Sequence, residues 1–475
     1  MAVRLIGAPS GRGRLLRGLR HALLGAGALA TAMVGPLATV AHAQEAQPRL
    51  IEDSEINDIL HKECDPVFVA AGINPRDMRI VLIEDRELNA GTASSKLIGI
   101  NTGLIAETKT PNELIGVMAH ETGHAAGGHT VRGEAEMQRA AMNPLLLTLG
   151  LGLLAIAAGA PDAGAALLGS SGYFATLGAL GYSREQESRA DQAAVTYLEK
   201  AGESSKGLVD FFDNFRYQEV FEEARRYPFF QTHPISSDRV EGLRRRAEEQ
   251  PHYNTPDSPQ LIELHEVMKA KLLAFTQPAQ QTFLKYPDTD TSYPARYARA
   301  IAYYRSTEVD IALKQVDALL AEQPTNPYLW ELKGQILFEA GRAKDSEPAH
   351  RKSVELKPTA PLLQINLARA ILAQEDGKRA DEAIEHLQKA LAYEPDNAFA
   401  FQLMAQAYDA KGEGGLARLS AAEERYAVGD LTQARIFALR AREILPKNTP
   451  QWRRATDIVL VAKPTKDDLR QLGGS

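Results

Sequence analysis

The chain has 475 residues, of which 44% are hydrophobic and 24% are charged, and its formal net charge is −7. This length predicts more than one domain. The acidic balance argues against nucleic acid as a partner, because nucleic-acid binding requires a positively charged surface.

The first 43 residues predict a secretory signal peptide that is cleaved before Gln44. They contain five arginines and no acidic residue, an apolar run over residues 22–40, and an Ala-x-Ala site at residues 41–43. An uncleaved membrane anchor is the alternative, but Pro36 and three glycines in the run weaken a spanning helix. Removal of the five arginines would change the formal charge from −7 to −12.

The cysteine content also bears on the compartment. Cys64 is the only cysteine, which excludes an intrachain disulfide. It lies too far beyond the cleavage site to be a lipid-modified N-terminal cysteine, and we expect it to be a buried small hydrophobe. An exported bacterial protein of this kind is expected in the periplasm.

A zinc-binding motif lies in the segment between Met118 and Ala125. It reads His120-Glu121-x-x-His124, the pattern of zinc metallopeptidases. Residues four apart share one face of a helix, so both histidines can reach one Zn²⁺ ion while Glu121 faces a water beside it. The pattern predicts hydrolysis of a peptide bond. A helix with two surface histidines is the alternative.

The residues before this motif predict a helix with a well-defined start. The sequence Thr110-Pro111-Asn112-Glu113 has the pattern of a capping box with proline at the first helical position. The next residues give the helix an apolar face that can pack into a hydrophobic core. They are Leu114, Ile115, Val117, Met118 and Ala119. The motif is therefore expected on a buried helix, as a metallopeptidase requires.

A catalytic zinc ion usually has three protein ligands, and this motif supplies two. The segment 182–191 contains Glu185, Glu187 and Asp191, the last two being four residues apart. A glutamate on a second helix could complete a His₂Glu site, and Asp191 could accept the other N–H of a ligand histidine. Spacing alone does not decide between Glu185 and Glu187, and such acidic residues are also common on an ordinary charged helix face.

Three motifs together resemble the M48 family of zinc metallopeptidases, over about residues 50–245. They are the H-E-x-x-H helix, the Ser-Arg-x-x-Glu-x-x-Ala-Asp stretch that begins at Ser183, and the later Thr232-His233-Pro234. The resemblance implies that Glu187 is the third ligand of a single Zn²⁺ ion. It also implies that Asp191 is not a ligand itself but contacts a ligand residue.

The same resemblance implies a strand before the catalytic helix, within residues 89–104. Ser94-Ser95 stands where the family usually has Gly-Gly, which leaves the form of the turn open but not the strand. We expect the strand around Leu97–Asn101 to pair with an extended substrate, so that main-chain hydrogen bonds carry the affinity.

Residues 144–181 are strongly apolar and are divided by Pro161-Asp162. Each half is marginal in length for spanning a bilayer. We expect buried helices that roof the active site. The alternative is a hairpin that contacts the membrane peripherally or a hydrophobic client, since some M48 relatives have membrane helices here.

Pro234 restricts the backbone beside His233 and so presents its imidazole at a definite place. M48 relatives place such a stretch near the metal, and two hypotheses follow. We favour a latch, in which His233 occupies the fourth zinc position and displaces the catalytic water. The other role is a hydrogen bond to the tetrahedral oxyanion, with Arg239 as the stronger electrostatic candidate. Without the resemblance, a histidine bonded to the backbone would be preferred.

Residues 248–260 contain three prolines and predict a linker between domains at 44–247 and 261–475. After it, a small-x₃-large-x₂-small-x₄-Pro pattern recurs, first at the tetratricopeptide period of 34 residues and then at spacings of 37 and 51. The four copies are Ala312-Val316-Leu319-Pro324, Ser346-His350-Ser353-Pro358, Ala383-Leu387-Ala390-Pro395 and Ala434-Ala438-Ala441-Pro446. We expect helices stacked into a solenoid with a concave binding surface, rather than unrelated amphipathic helices.

The sequence therefore predicts a mainly α chain. A zincin-like metalloprotease domain with a small β element is followed by an α-solenoid of tetratricopeptide-like repeats. In the predicted reaction Zn²⁺ polarises the scissile carbonyl, and Glu121 takes a proton from water and passes it to the leaving amine.

This layout is similar to that of envelope proteases of Gram-negative bacteria within the family. It implies a periplasmic endopeptidase in quality control of outer-membrane β-barrel proteins. Its substrates would be unfolded or misassembled barrel proteins, and its repeats would bind the outer-membrane assembly machinery. Two alternatives remain, namely a chaperone-like repeat protein with a normally shut protease site, and a membrane-associated M48 protease that acts on membrane proteins.

Overall fold

A computed structural model describes residues 2–3, 49–127, 184–220, 229, 233, 236–374, 379–462 and 465. In this part the chain is mainly helical with one small sheet, which confirms the predicted fold class. The predicted signal peptide lies almost wholly outside the described residues, and so does the apolar segment 144–181. None of the described helices has the length and apolar character needed to cross a membrane.

The described part of the chain forms one five-stranded sheet with the order β1-β2-β3-β5-β4. Its strands are β1 (Ala2–Val3), β2 (Arg49–Glu52), β3 (Arg79–Glu84), β4 (Ala90–Ser94) and β5 (Leu97–Asn101). Strand β5 is parallel to β3, and the other three pairs are antiparallel. Strand β1 lies inside the predicted signal peptide, so cleavage before Gln44 would remove it.

Strand β5 coincides with the strand predicted around Leu97–Asn101, but it cannot pair with a substrate. Both of its edges are occupied, one by β3 and one by β4. The prediction that this strand binds substrate is therefore wrong, because it has no row of unpaired main-chain groups. Strand β4 is the edge strand on this side, and a turn at Ser95-Lys96 joins it to β5.

Six described helices accompany the sheet. They are α1 (Ser54–Ala70), α2 (Thr102–Glu107), α3 (Pro111–Ala126), α4 (Arg184–Ala201), α5 (Lys206–Val220) and α6 (Ser237–Glu248). Helix α3 begins as predicted, since the Thr110 hydroxyl accepts the N–H of Glu113 at 3.2 Å and proline follows the cap. The Glu113 carboxylate accepts the N–H of Lys109 at 2.7 Å. These bonds satisfy N–H groups that have no partner within the helix and fix where α3 starts.

Twelve described helices follow in the second part of the chain. They are α7 (Pro259–Thr276), α8 (Ala279–Lys285), α9 (Tyr293–Arg305), α10 (Val309–Glu322), α11 (Pro327–Glu339), α12 (Ala343–Leu356), α13 (Pro361–Leu372), α14 (Ala380–Tyr393), α15 (Ala398–Ala410), α16 (Gly414–Ala427), α17 (Leu431–Ile444) and α18 (Pro450–Val461). Consecutive helices from α9 onward pack side by side. This is the stacking expected of tetratricopeptide-like repeats.

The four predicted repeat copies fall on α10, α12, α14 and α17. In every copy the three residues that occupy the small, large and small positions of the pattern are buried. One helix separates the copies on α10 and α12, whereas two helices separate those on α14 and α17. The longest spacing in the sequence therefore corresponds to one additional helix.

One hydrophobic core extends from the sheet into the first repeat helices, from Ile51 through Ile336. Cys64 belongs to this core and is fully buried, as expected. Helix α6 ends at Glu248 and α7 begins at Pro259, and α7 packs against α1 and α3. The core is therefore continuous across the segment that was predicted to be a linker.

Buried polar contacts also join α7 to α1. The Lys271 ammonium lies 2.9 Å from a carboxylate oxygen of Asp53 and 2.9 Å from one of Glu55. Six residues earlier along α7, the His265 ring lies 3.0 Å from the carboxylate of Glu63. Because all of these side chains are buried, they fix the position of the repeats relative to the first part of the chain.

Candidate metal centre

Helix α3 brings the residues of the H-E-x-x-H motif to one buried place. His120, Glu121 and His124 are fully buried. Helix α4 comes very close at Gly123, where a Cβ atom would lie 2.8 Å from the carbonyl oxygen of Ala190. A side chain at position 123 would therefore push the two helices apart. This close approach lets side chains of α4 reach the two histidines.

Helix α4 directs Glu187 and Asp191 toward α3, since residues four apart lie on one face. Glu187 is 1% exposed and Asp191 is 5% exposed. Glu185 points to the opposite side, where its side chain is 75% exposed and pairs with Arg189. The geometry therefore favours Glu187 over Glu185 as a ligand.

Four side chains from three parts of the chain converge, with ligand atoms within 4.8 Å of one another. They are His120, His124, Glu187 and His233. The Nε2 atoms of His120 and His124 are 3.1 Å apart, and His233 Nδ1 lies 3.3 Å from His120 Nε2. Glu187 Oε1 lies 3.0 Å from His233 Nδ1 and 3.3 Å from His124 Nε2.

These separations match the edges of a tetrahedral metal site. Ligands about 2.0–2.1 Å from a four-coordinate zinc ion lie about 3.3 Å from one another. Two imidazole nitrogens 3.1 Å apart cannot both present lone pairs to each other, so a proton or a cation must lie between them. Three imidazoles and one carboxylate form a donor set that zinc accepts. The residues therefore fit a bound zinc ion.

The charges of the cluster also favour a cation. Burial lowers the pKa of His120, but its contacts with Asp191 and Glu187 outweigh burial and raise the pKa to about 9. Burial lowers the pKa of His124 to about 4. Burial raises the pKa of Glu187, but the surrounding histidines outweigh it and hold this pKa well below the usual value. A metal ion can replace the positive charge that a proton on His120 would otherwise supply.

Asp191 and Arg239 support the ligands from one side. Asp191 Oδ1 lies 2.9 Å from His120 Nδ1, the ring nitrogen that faces away from the cluster. Arg239 donates to both Asp191 oxygens from Nε and Nη2, at 2.7 and 2.8 Å, and its remaining nitrogen, Nη1, lies 2.6 Å from Glu187 Oε2. The pKa of Asp191 is about 2, because Arg239 and His120 outweigh the effect of burial, which raises it.

This arrangement bears on the role predicted for Arg239. The sequence suggested that Arg239 stabilises an oxyanion, which would require donors directed at the reacting carbonyl. Its nitrogen donors instead face the carboxylates of Asp191 and Glu187. These contacts are those of a positioning residue, and the oxyanion role of Arg239 stays a prediction.

His233 lies at the centre of the site and is 1% exposed. Its main-chain N–H donates to the carbonyl of Phe229 at 2.8 Å, and its ring stacks on the Phe229 ring at 4.6 Å between centroids. Its Nδ1 faces the other ligand atoms, while its Nε2 lies 3.3 Å from Glu121 Oε1. This position favours the latch over a histidine that bonds only to the backbone.

Sequence analysis missed two kinds of contact at the site. The hydroxyl of Thr92, on β4, donates to the Glu121 carboxylate at 3.0 Å. The Phe212 ring lies 5.0 Å from the Arg239 guanidinium carbon and 6.0 Å from the His120 ring. Thr92 is a buried polar residue in a strand, a signal that could have identified it. The position of Phe212 depends on long-range packing and left no such signal.

Comparison with known proteins gives the following matches. The model of Peptidase family M48 matches residues 54–247. The beta-barrel assembly-enhancing protease of Escherichia coli strain K12 is 26% identical over 384 residues, covering 75% of this chain and 76% of that protein. The protein of the same name from Yersinia pestis is 24% identical, over 74% of this chain and 72% of its own length. Metalloprotease LoiP of Escherichia coli strain K12 is 29% identical, over 37% of this chain and 64% of its own length.

The family match and the geometry concern the same part of the chain. The matched segment contains α1 to α6 and every residue of the buried metal cluster. The long matches to the assembly-enhancing proteases extend beyond this segment, into the repeat helices. Residues 54–247 therefore match peptidase family M48, and the chain is a metallopeptidase in which tetratricopeptide-like repeat helices follow the matched segment.

Proposed function

We propose that the chain is a zinc endopeptidase in which His120, His124 and Glu187 hold one Zn²⁺ ion. The observation that carries this proposal is the convergence of four buried ligand atoms at the separations of tetrahedral zinc ligands. His233 supplies the fourth of these atoms. The proposal assigns catalysis to a domain at residues 44–247 and partner binding to the repeats at 261–475.

A zinc ion in such a site supplies Lewis acidity toward the scissile carbonyl and toward a water molecule. Glu121 is the general base, because its carboxylate lies beside the ligand set without belonging to it. It takes a proton from the attacking water and passes it to the leaving amine. Asp191 holds the His120 ring in the orientation that directs Nε2 at the ion, and Arg239 holds the second oxygen of Glu187.

We propose that His233 is a latch. Its Nδ1 stands where water or substrate would bind, and its Nε2 lies 3.3 Å from the Glu121 carboxylate. One imidazole thus blocks both the fourth ligand position and the base. Activity then requires withdrawal of His233, and a protease among unfolded envelope proteins benefits from a state that is shut by default.

We propose that an extended substrate pairs with β4. This strand is the edge of the described sheet beside the catalytic helix α3, and it contacts that helix. An edge strand offers main-chain N–H and C=O groups to a peptide of any sequence. Such a mode of binding gives weak selectivity, which suits a protease that degrades many misfolded chains.

We propose a periplasmic role in the assembly and quality control of outer-membrane β-barrel proteins. Two long matches carry the name beta-barrel assembly-enhancing protease and extend over three quarters of this chain or nearly so. The N-terminal segment has the features of a secretory signal peptide. The substrates would be unfolded or stalled barrel precursors, and the repeats would bind the outer-membrane assembly machinery.

Proteolysis of casein by the purified full chain, with and without a chelator, tests the enzymatic proposal. We expect chelator-sensitive cleavage that Glu121→Gln abolishes while zinc stays bound, because Glu121 is not a ligand. His233→Ala should raise cleavage. A loss of turnover of about 10²-fold in His233→Ala would instead support the oxyanion role. Stoichiometric loss of zinc from Glu121→Gln would contradict its assignment as the base.

The shut geometry of His233 also favours a second function, that of a chaperone-like repeat protein. In that case wild type and His233→Ala would both fail to cleave casein and would still suppress its aggregation. Capture of intact barrel proteins by the Glu121→Gln chain would support the protease role and identify the substrates. Retention of the wild-type chain in membranes after carbonate extraction would support a membrane-associated protease instead.

A further inference from the structure

The side chain of Thr92 connects the edge strand β4 to the catalytic helix α3. Its hydroxyl lies 2.8 Å from the main-chain oxygen of Glu121 and 3.0 Å from the carboxylate oxygen Oε2 of the same residue. Thr92 is 8% exposed and Glu121 is fully buried. The contact is therefore shielded from water. A hydrogen bond to a carboxylate is stronger in such a buried place than in water.

A threonine hydroxyl has one proton, and here two acceptors of Glu121 compete for it. The main-chain oxygen keeps the hydroxyl beside the helix, and when the proton is directed at Oε2 the bond fixes the carboxylate relative to the helix. The other oxygen of Glu121, Oε1, lies 3.3 Å from His233 Nε2. In the shut geometry the carboxylate is thus held between Thr92 and His233.

Opening of the site would remove one of the two contacts that hold the Glu121 carboxylate. If His233 withdraws, Thr92 is the side chain among the described contacts that still holds the Glu121 carboxylate. A glutamate side chain has several rotamers, and most of them would carry its carboxylate away from the attacking water. The hydroxyl of Thr92 prevents that movement in the open enzyme.

We propose that Thr92 is a positioning residue that keeps the Glu121 carboxylate in its proton-accepting orientation. This inference rests on the proposed function, since it requires Glu121 to be the general base. Because Thr92 belongs to β4, the strand proposed to bind substrate, it also links the orientation of the base to that strand.

Three variants in the His233→Ala background test the proposal by kinetics. Thr92→Val has nearly the same shape and lacks the hydroxyl, and Thr92→Ser keeps the hydroxyl. We expect Thr92→Val to lower kcat about 10-fold, with KM and zinc content unchanged, and Thr92→Ser to restore most of the loss. The control is Thr276→Val, which removes a partly buried hydroxyl on α7, away from the metal centre, whose described hydrogen bond is to the Leu272 carbonyl. That control should keep the parent kcat.

A second measurement does not depend on activity. Crystal structures of Thr92→Val and Thr92→Ser in the His233→Ala background should show the Glu121 carboxylate displaced or divided between rotamers in the first and in place in the second. An unchanged Glu121 rotamer in Thr92→Val, or an unchanged kcat, would overturn the proposal. Failure of the proposed function has a different result, namely no chelator-sensitive cleavage by His233→Ala, and the crystal structures then still decide whether Thr92 positions Glu121.

Discussion

Arg239 contacts both acidic residues of the metal centre through its guanidinium group. Two of its nitrogens donate to Asp191 at 2.7 and 2.8 Å, and the third lies 2.6 Å from Glu187. A guanidinium presents its donors in a rigid planar fork, which a lysine ammonium cannot reproduce. At the scale of single residues, Arg239 thus holds the carboxylates of Glu187 and Asp191 relative to each other.

We expect Arg239→Lys to lower zinc affinity about 10-fold and Arg239→Ala to lower it further, toward 100-fold. The reason is that Glu187 and Asp191 lose their shared partner while both ligand histidines remain. Competition with a chelator of known affinity measures this change. Arg245→Ala is the matched control, since Arg245 is exposed on the same helix. Wild-type zinc affinity in Arg239→Ala would contradict the positioning role.

At the scale of the elements, the approach of α3 and α4 depends on Gly123. We expect Gly123→Ala to destabilise the fold by about 1–3 kcal/mol and to weaken zinc binding, because the new Cβ would meet the Ala190 carbonyl at 2.8 Å. Urea unfolding and zinc competition measure the two effects.

Gly242→Ala on α6 is the control for Gly123→Ala. A Cβ there meets no atom within 4 Å, and alanine has the higher helix propensity. We expect this control to be neutral or slightly stabilising. If Gly123→Ala behaved in the same way, the close contact between α3 and α4 would not be what brings Glu187 to the histidines.

Features that depend on local sequence were predictable, and features that depend on long-range packing were not. The start of α3 follows from Thr110 and Glu113, whose bonds span a few residues, and the repeats follow from a pattern confined to single helices. The edge position of β4 depends on the pairing of β5 with β3, which no pattern within β5 encodes. For the same reason the contact of Thr92 with Glu121, 29 residues apart, went unpredicted.

The metal centre shows the same division. The helical spacing of His120 and His124 predicted their common direction from five residues of sequence. The choice of Glu187 over Glu185 needed the family resemblance, because both are acidic residues near the start of one helix. The hydrogen bonds between Arg239 and Asp191 depend on where α6 packs against α4. No pattern in the sequence of either helix predicts that packing.

At the scale of the whole molecule, the first repeat helices are part of the protease core. Residues of α7, α9, α10 and α11 belong to the same buried cluster as those of α1 and α3. Residues of α13 and α14 belong to a second cluster, and residues of α17 and α18 belong to a third. The buried cluster that contains the protease core thus extends to α11, rather than ending at the prolines of residues 248–260.

Two truncated chains test this boundary. A chain that ends at residue 258 should aggregate or remain unfolded, because it exposes the apolar surfaces of α1 and α3 that α7 covers. A chain that ends at residue 341 keeps this cluster and should fold and bind zinc. Circular dichroism and size-exclusion chromatography distinguish the two. A folded, zinc-binding chain ending at 258 would show that the domain is independent, as the sequence alone suggested.

The buried ion pair between the two parts should make their joint stability depend on pH. Burial raises the pKa of Asp53, but Lys271 and the N–H of Ile56 outweigh it and lower the pKa to about 2, from an unfolded value of 3.8. A carboxyl group with a lowered pKa stabilises the fold above the unfolded value. That stability is lost as the pH falls from about 4 to about 2, and it amounts to about 2 kcal/mol.

Asp53→Asn isolates this effect, since asparagine can still cap α1 but carries no charge. We expect the variant to be less stable than wild type by about 2 kcal/mol at pH 7, because Lys271 keeps only Glu55 as an anionic partner at hydrogen-bond distance. The difference should shrink as the pH falls below 4, be mostly lost at pH 2, and disappear at lower pH, where Asp53 is protonated in both states. Urea unfolding of both chains across this pH range measures it. A difference that stays constant down to pH 2 would mean that the charge of Asp53 does not hold the repeats to the protease.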